Sequence, residues 1–353
     1  MSTTPAELSG TSSTSGAVHV EPLEPLAEWR SDTLGDGYVW HLTDADRVEL
    51  DEALRHARDL HADVLDITVD DFPLPNLGPR LEALAAELTN GRGVALIRGL
   101  DRSRYSAADA SAIYWGVGMH LGRPWPQNAK GHLLGDVTDQ GRSHDDPTSR
   151  GNELGQTGLV FHSDGCDLVG LFCLDPGASG GESLVANALA IHNELARSAP
   201  ELAAELYAEF AYDYRGEQAP GQRPWYTMPV FDRHDDRLFV RYIRPYMKSA
   251  RRHDDAPEPS PLAMEAMDRV DEMCSDPAYH VSMLMQPGDM QFINNYHSLH
   301  GRLPYTDDRE RGQVRHLKRL WLETRVLSDE EKPERYRRRR SSESWWKASG
   351  RQP

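Results

Sequence analysis

Positive charge, cysteine and long apolar runs are all scarce in this chain of 353 residues. Against 56 Asp and Glu stand 39 Lys and Arg, a formal net charge of -17. So acidic a chain repels phosphate backbones, which excludes nucleic acid as its main partner. Three cysteines (Cys166, Cys173 and Cys274) are too few for a disulfide framework. Cys166 lies near His162, but without a Cys-X-X-Cys pair a zinc site has little support, and buried inert thiols are the simpler reading. No apolar run approaches the roughly 20 residues of a membrane span. The N-terminal MSTTPAELSGTSSTSGAVHV lacks the basic and apolar regions of a secretory signal. A Gly-X-Ser-X-Gly elbow is missing too, and Gly177-Ala178-Ser179-Gly180-Gly181 is not followed by the Lys-Ser/Thr of a phosphate loop. What remains is a globular enzyme-sized chain, expected in a reducing, cytoplasmic setting without a membrane partner.

What is present begins with aromatic and apolar residues enough for a sizeable core: 8 Trp, 13 Tyr and 39% hydrophobic residues overall. Residues 1–20, rich in Ser, Thr and Gly, read as disordered. Residues 21–330 read as one domain, and 331–353 as a basic tail from Arg335 to Arg340 and on through Trp345-Trp346. That tail suits a solvated segment or a pendant helix better than a nucleic-acid or membrane contact. Helical spacing marks Asp44 to about Val64 and Leu81 to Leu88, the second ended by Asn90-Gly91-Arg92-Gly93. Ser106 opens a helix to about Leu121 in a capping-box pattern, Ser198 a helix carrying Leu202, Leu206 and Phe210, and Ser260-Pro261 one ending near Cys274. Strands are expected at Val94–Ile97, Leu159–His162, Leu168–Leu174, Ser183–Ala186, Leu238–Ile243, Val281–Met285, Met290–Ile293 and Val314–Leu322. Many short strands in the second half, with helices mainly in the first, predict a mainly β fold, a β-sandwich or jelly roll braced by helices.

The chemistry concentrates in two places. In His162-Ser163-Asp164 the first and third residues share one face of a strand, and His300 returns far downstream. Two histidines and a carboxylate can fill one face of an octahedral Fe(II) and leave the other open for substrate and dioxygen. His297 competes for the third position, and the Leu-His-Gly-Arg context favours His300. A lone His-X-Asp is weak, but Arg315 and Arg319 strengthen it. Four apart on a strand, they face inward with Leu317 and Trp321, and buried guanidiniums demand anions, for which carboxylates are the natural bidentate partners.

These stretches resemble the taurine dioxygenase (TauD/TfdA) family with its clavaminate-synthase-like relatives. The resemblance rests on Gln127–Leu133, Phe161–Asp164, Gly180–Ser183, Pro287–Asn295, Leu299–Arg302 and Arg315–Arg319, in order over about residues 90–325. It implies a double-stranded β-helix (a jelly roll) with Fe(II) on His162, Asp164 and His300. It further implies 2-oxoglutarate with its far carboxylate on Arg315 and Ser183, Arg319 near the metal-side carboxylate or an anionic substrate, and Asn128 lining the co-substrate pocket. Asp164, which halogenating relatives replace with a small residue, favours hydroxylation of an unactivated C–H bond, with succinate and carbon dioxide released and dioxygen consumed. Desaturation or cyclisation is the alternative outcome, and a cupin-like metal-dependent hydrolase or lyase the rival class. The expected substrate is small and polar, an amino acid or related carboxylate. Arg319, Arg241, Arg244 and Lys248 are candidate anchors, with His297 at the rim. Residues 136–158 and 213–258, where the match is loose, are the expected specificity insertions, and Ser143–Asn152 reads as a mobile lid or an ordinary surface loop.

Overall fold

The computed structural model describes residues 20–340 apart from 25, 26, 144, 145, 147 and 152, together with Gly350. The expected disorder of residues 1–20 and the Trp345-Trp346 pair thus lie outside the described residues, except for Val20, which is buried. Among the described residues no helix is long and apolar enough to cross a membrane.

Two open sheets form the core. The larger runs Val39–His41, Val94–Arg98, Met290–Asn294, Leu168–Asp175, His316–Glu323 and Arg123–Pro124, with Leu134–Val137 also paired to His316–Glu323. All its pairings are antiparallel except that of Val39–His41 with Val94–Arg98. The smaller runs His280–Met283, Ser183–Asn187, Ser298–Arg302 and Leu159–His162, antiparallel throughout. Side chains from both sheets line one cavity between them, a sandwich of the jelly-roll kind whose sheets stay separate.

Helices Leu77–Asn90 and Ala107–Leu121 cover the outer face of the larger sheet. Ala107–Leu121 is capped by Ser106, whose hydroxyl accepts from the Asp109 N–H at 3.1 Å. It is buried on nearly every side, and it comes so close that a Cβ on Gly118 would lie 2.2 Å from Leu320. A second core lies around helices Ala188–Ser198 and Pro261–Ser275 and two hairpins, Phe210–Asp213 with Trp225–Met228 and Phe231–His234 with Arg237–Val240.

The expected helix opening at Ser198 is two elements. Ser198 ends a preceding helix, Ala188–Ser198, and its hydroxyl bonds back to Glu194 O at 2.8 Å. Pro200 then starts a six-residue helix to Glu205, and Phe210 begins a strand. The missed helix start is Asn187, whose side chain accepts from Ala190 N at 2.7 Å; because Ser183–Asn187 is a buried strand, the apolar run conceals the change of period at its end.

The packed chain continues past residue 330. Lys332, 1% exposed, donates to Asp167 Oδ2 at 3.1 Å, and Asp167 is itself 1% exposed. Tyr296 Oη donates to the other Asp167 oxygen, and Thr324 N donates to Oδ2 at 3.1 Å. Tyr336, in the helix Glu334–Arg340, packs on Phe239 and Tyr296. The basic tail is therefore anchored at its base.

Two stability predictions follow from these buried groups. Removing one member of a buried pair strands the other, at about 3–5 kcal/mol. Chemical denaturation should show a loss of that size for Lys332→Met, and a smaller one for Lys332→Met with Asp167→Asn. His297 is buried, which lowers its pKa from the usual histidine value to about 4. The unfolded chain therefore binds a proton that the folded chain refuses between pH about 6.5 and about 4. Stability should fall across that window by up to about 3 kcal/mol, and His297→Gln should flatten this limb of the pH–stability curve.

Candidate active site

His162 ends the strand Leu159–His162, and its register partner across the antiparallel pair is His300. Directly opposed residues share a face, so the two rings lie with centroids 4.3 Å apart. Asp164 follows two residues on, past the end of the strand. Its N–H donates to Asn295 Oδ1 at 2.9 Å, and its Oδ2 accepts from Trp321 Nε1 at 3.1 Å. Asn295 N in turn donates to Asp167 O at 2.9 Å, so the loop from 164 to 167 is bolted to the segment that leads to His300. Between the two ligands Ser163 points away, its hydroxyl accepting from Tyr242 N at 3.1 Å. One donor atom from each of His162, Asp164 and His300 lies within 4.8 Å of the others.

The protonation states suit a cation. Burial alone would raise the Asp164 carboxyl, but Arg319, then His300, His162 and Arg241, outweigh it and hold the group down to about 2. Burial, aided by His162 and Arg319, lowers His300 to about 3. His162 Nδ1 sits 2.9 Å from Val160 O; a proton on Nδ1 leaves Nε2 as the free donor. An ionised carboxylate beside a neutral imidazole is the state in which such groups bind a divalent metal.

Two cavities open from this cluster. One is lined by Val169, Leu171, Ser183, Arg302, Arg315 and Leu317 among others. Arg315 is 5% exposed, and among the described residues no carboxylate lies within ion-pair distance of its guanidinium. Its side chain lies along Gly181, where a Cβ would stand 2.9 Å from Arg315 Nε, and its guanidinium is 5.1 Å from the Tyr305 ring centre. Arg302 faces the same ring at 4.7 Å, and burial, then Arg315, lowers its pKa to about 10. Ser183 completes the group, its hydroxyl 2.8 Å from Gln291 Oε1. The other cavity is lined by Ser149, Arg150, Leu154, Val160, Arg215, Ile243, Pro245 and Tyr246, and shares His162, Asp164 and Arg319 with the first.

Several expected residues are elsewhere. Asn128 lines neither cavity; its side chain caps its own turn, accepting from Lys130 N at 3.1 Å, and the neighbouring Gln127 instead bonds Arg319 Nε at 2.8 Å. Arg244 pairs with Asp268 and Asp271 and, with Lys248, lines a separate outer cleft. Arg241 lies behind the site, donating to Ser163 O at 2.8 Å and Tyr226 Oη at 3.1 Å. His297 lies in the turn just before the strand Ser298–Arg302 and lines neither cavity, its ring packed against Gly93. Arg150, Arg215, Arg302 and Tyr246 line the cavities without being among the residues that the sequence marks. Arg302 was findable, since it stands two residues beyond His300 and so on the same face.

The profile of the taurine catabolism dioxygenase TauD, TfdA family matches residues 56–321. The chain belongs to that family. This TauD/TfdA enzyme is an Fe(II)/2-oxoglutarate-dependent dioxygenase, and its donor set fits the metal. It is similar to FR-33289 synthase of Streptomyces rubellomurinus, 33% identical over 310 residues that span 86% of this chain and 90% of that protein. Similarity also extends to uridine-5'-phosphate dioxygenase of an Amycolatopsis species, 28% identical over 64% of this chain and 84% of that one. The fold is shared with asparagine oxygenase solved with Fe(II), 3-hydroxyasparagine and succinate (TM-score 0.63, 20% identity, 81% of this chain and 94% of that one). It is shared too with the non-heme iron oxygenase OrfP solved with Fe and α-ketoglutaric acid (TM-score 0.58, 20% identity, 81% and 93%).

Trp321→Phe keeps the ring but withdraws the N–H from Asp164. Loss of such a supporting bond costs about tenfold in metal affinity, and an Fe(II) or Co(II) titration of the folded variant should show it.

Proposed function

We propose that this dioxygenase hydroxylates an unactivated C–H bond of a small polar substrate, an amino acid or related carboxylate. Dioxygen supplies one oxygen to the new hydroxyl and one to succinate, and the 2-oxo acid loses carbon dioxide. The observation that carries the reading is the cluster of two histidines and a carboxylate opening onto the buried Arg315, which has no acidic partner among the described residues. His162, Asp164 and His300 hold the iron, which supplies the oxidising chemistry when bound. Arg315 takes the far carboxylate of 2-oxoglutarate as a bidentate partner, Ser183 turns its hydroxyl to the same oxygens, and Arg302 adds positive potential. Trp321 and Asn295 fix the Asp164 carboxylate, and the apolar walls of Val169, Leu171 and Leu317 keep water from the co-substrate. Arg319 lies between the cavities, 4.0 Å from Asp164, where it steadies the ligand and meets an anion from either side. Asparagine oxygenase and OrfP, with hydroxylated asparagine and arginine bound, support an amino-acid-like substrate on this fold. The substrate is small and polar, and the setting is cytoplasmic.

The deciding experiment adds Fe(II) and then 2-oxoglutarate anaerobically and records the visible spectrum. A weak charge-transfer band that disappears in both Asp164→Ala and His300→Ala is expected, and a folded, iron-loaded protein without the band sinks this reading. Arg315→Gln removes the charge-assisted pair, worth about 1.5–3 kcal/mol. The 2-oxoglutarate concentration that half-saturates the band should then rise about ten- to hundredfold while iron still binds.

A further inference from the structure

One buried amide stands directly behind the co-substrate cavity. Gln291 lies in the strand Met290–Asn294 of the larger sheet, 0% exposed, with Leu96 and Leu171 as its register partners. Its chain neighbours Met290 and Phe292 are apolar and equally buried. Leu171 lines the cavity, whereas Gln291 lies behind the lining residue Ser183. A carboxamide in such a place pays a dehydration cost that an apolar side chain avoids.

Both ends of the amide reach across to the smaller sheet. Its Oε1 accepts from the Ser183 hydroxyl at 2.8 Å, and its Nε2 donates to Met283 Sδ at 3.4 Å. Met283 and Arg302 are the register partners of Ser183 on its two sides. Directly opposed residues share a face, so Met283, Ser183 and Arg302 form one inward row with Gln291 set across from it.

This arrangement limits what Ser183 can offer to a ligand. A serine hydroxyl has one proton and two lone pairs. With the proton on Gln291 Oε1, Ser183 turns only lone pairs to the cavity, and lone pairs repel a carboxylate. To donate to the far carboxylate of 2-oxoglutarate, the O–H must swing away from Gln291. That leaves Oε1 a buried acceptor without its donor, at the full cost of its lost hydration. Rotation of the amide does not remove the cost, because Oε1 would then face the Met283 thioether, which has no proton to give.

We propose that Gln291 is a positioning residue that holds back the Ser183 proton and so sets a lower affinity for the far carboxylate than Arg315 and Ser183 alone would give. This deepens the co-substrate reading and rests on it. Gln291 touches neither the metal ligands nor the co-substrate, and it acts through Ser183.

The test uses the full-length, anaerobic, Fe(II)-loaded enzyme and the 2-oxoglutarate concentration that half-saturates the charge-transfer band. Gln291→Met, close in length and shape, frees the Ser183 hydroxyl. The half-saturating concentration should fall about fivefold or more, with iron affinity unchanged. In a Ser183→Ala background the same substitution should have no effect. Unchanged or weaker co-substrate binding in folded Gln291→Met overturns the proposal, and Gln291 is then only a bridge between the sheets. Equal tightening with and without Ser183 overturns it as well, since the effect does not pass through the hydroxyl. A second measurement needs no change at Gln291. Infrared difference spectra of the enzyme with isotope-labelled glutamine should show one carboxamide C=O band move to higher frequency on adding 2-oxoglutarate, and none in Ser183→Ala. A band that stays in place in the unaltered enzyme shows that Oε1 keeps its donor and overturns the proposal. A missing charge-transfer band would instead overturn the oxygenase reading, so the two failures are read from separate signals.

Discussion

Two carboxylates three residues apart, Asp167 buried and Asp164 largely so, set the terms for the rest of this structure. Asp164 and Asp167 lie in one loop between the two sheets, and neither could stay ionised there alone. Each receives its own compensation. Asp164 faces Arg319, two imidazoles and Trp321; Asp167 receives Lys332, Tyr296 and the Thr324 N–H. The first set leaves an oxygen directed at the histidines, and the second fixes the backbone that carries it. Metal-binding geometry and local fold stability are consequences of one charge arrangement.

The same logic accounts for the arginines. Burial lowers the affinity of both Arg302 and Arg315 for protons, and Arg315 lowers that of Arg302 further, a cost that apolar residues in their place would avoid. Their presence makes sense when a dianion shares the cavity. Among the described residues no carboxylate pairs with either guanidinium, and in the function proposed above the co-substrate supplies that charge.

Much of this was legible in the residues. Period-two spacing put His162 with Asp164 and Arg315 with Leu317 and Arg319, and the cavity contains all of them. The strands around them fall where β-rich runs bounded by turns predicted. What sequence could not convey was direction outside regular strands. Asn128 and Gln127 are adjacent polar residues, and only the turn at Gly131 decides that Gln127 reaches Arg319. Arg244 begins a helix, Arg244–Ala250, that turns it to the outer cleft while Tyr246 faces inward. Arg150 and Arg215 belong to irregular insertions without period, so their convergence is purely tertiary. Lys332 resembled one more cation of a basic tail, and nothing local distinguishes a buried lysine from its solvated neighbours.

Lys332 also lies beyond residue 321, where the family match ends. Domains take shape while synthesis proceeds from the N-terminus, and all three candidate iron ligands leave the ribosome before this lysine does. During that interval the nascent chain has its donors but not the cation that locks their loop. A chain cut before Lys332 would keep the ligand sequence while leaving the buried Asp167 carboxylate, three residues from Asp164, without its cation.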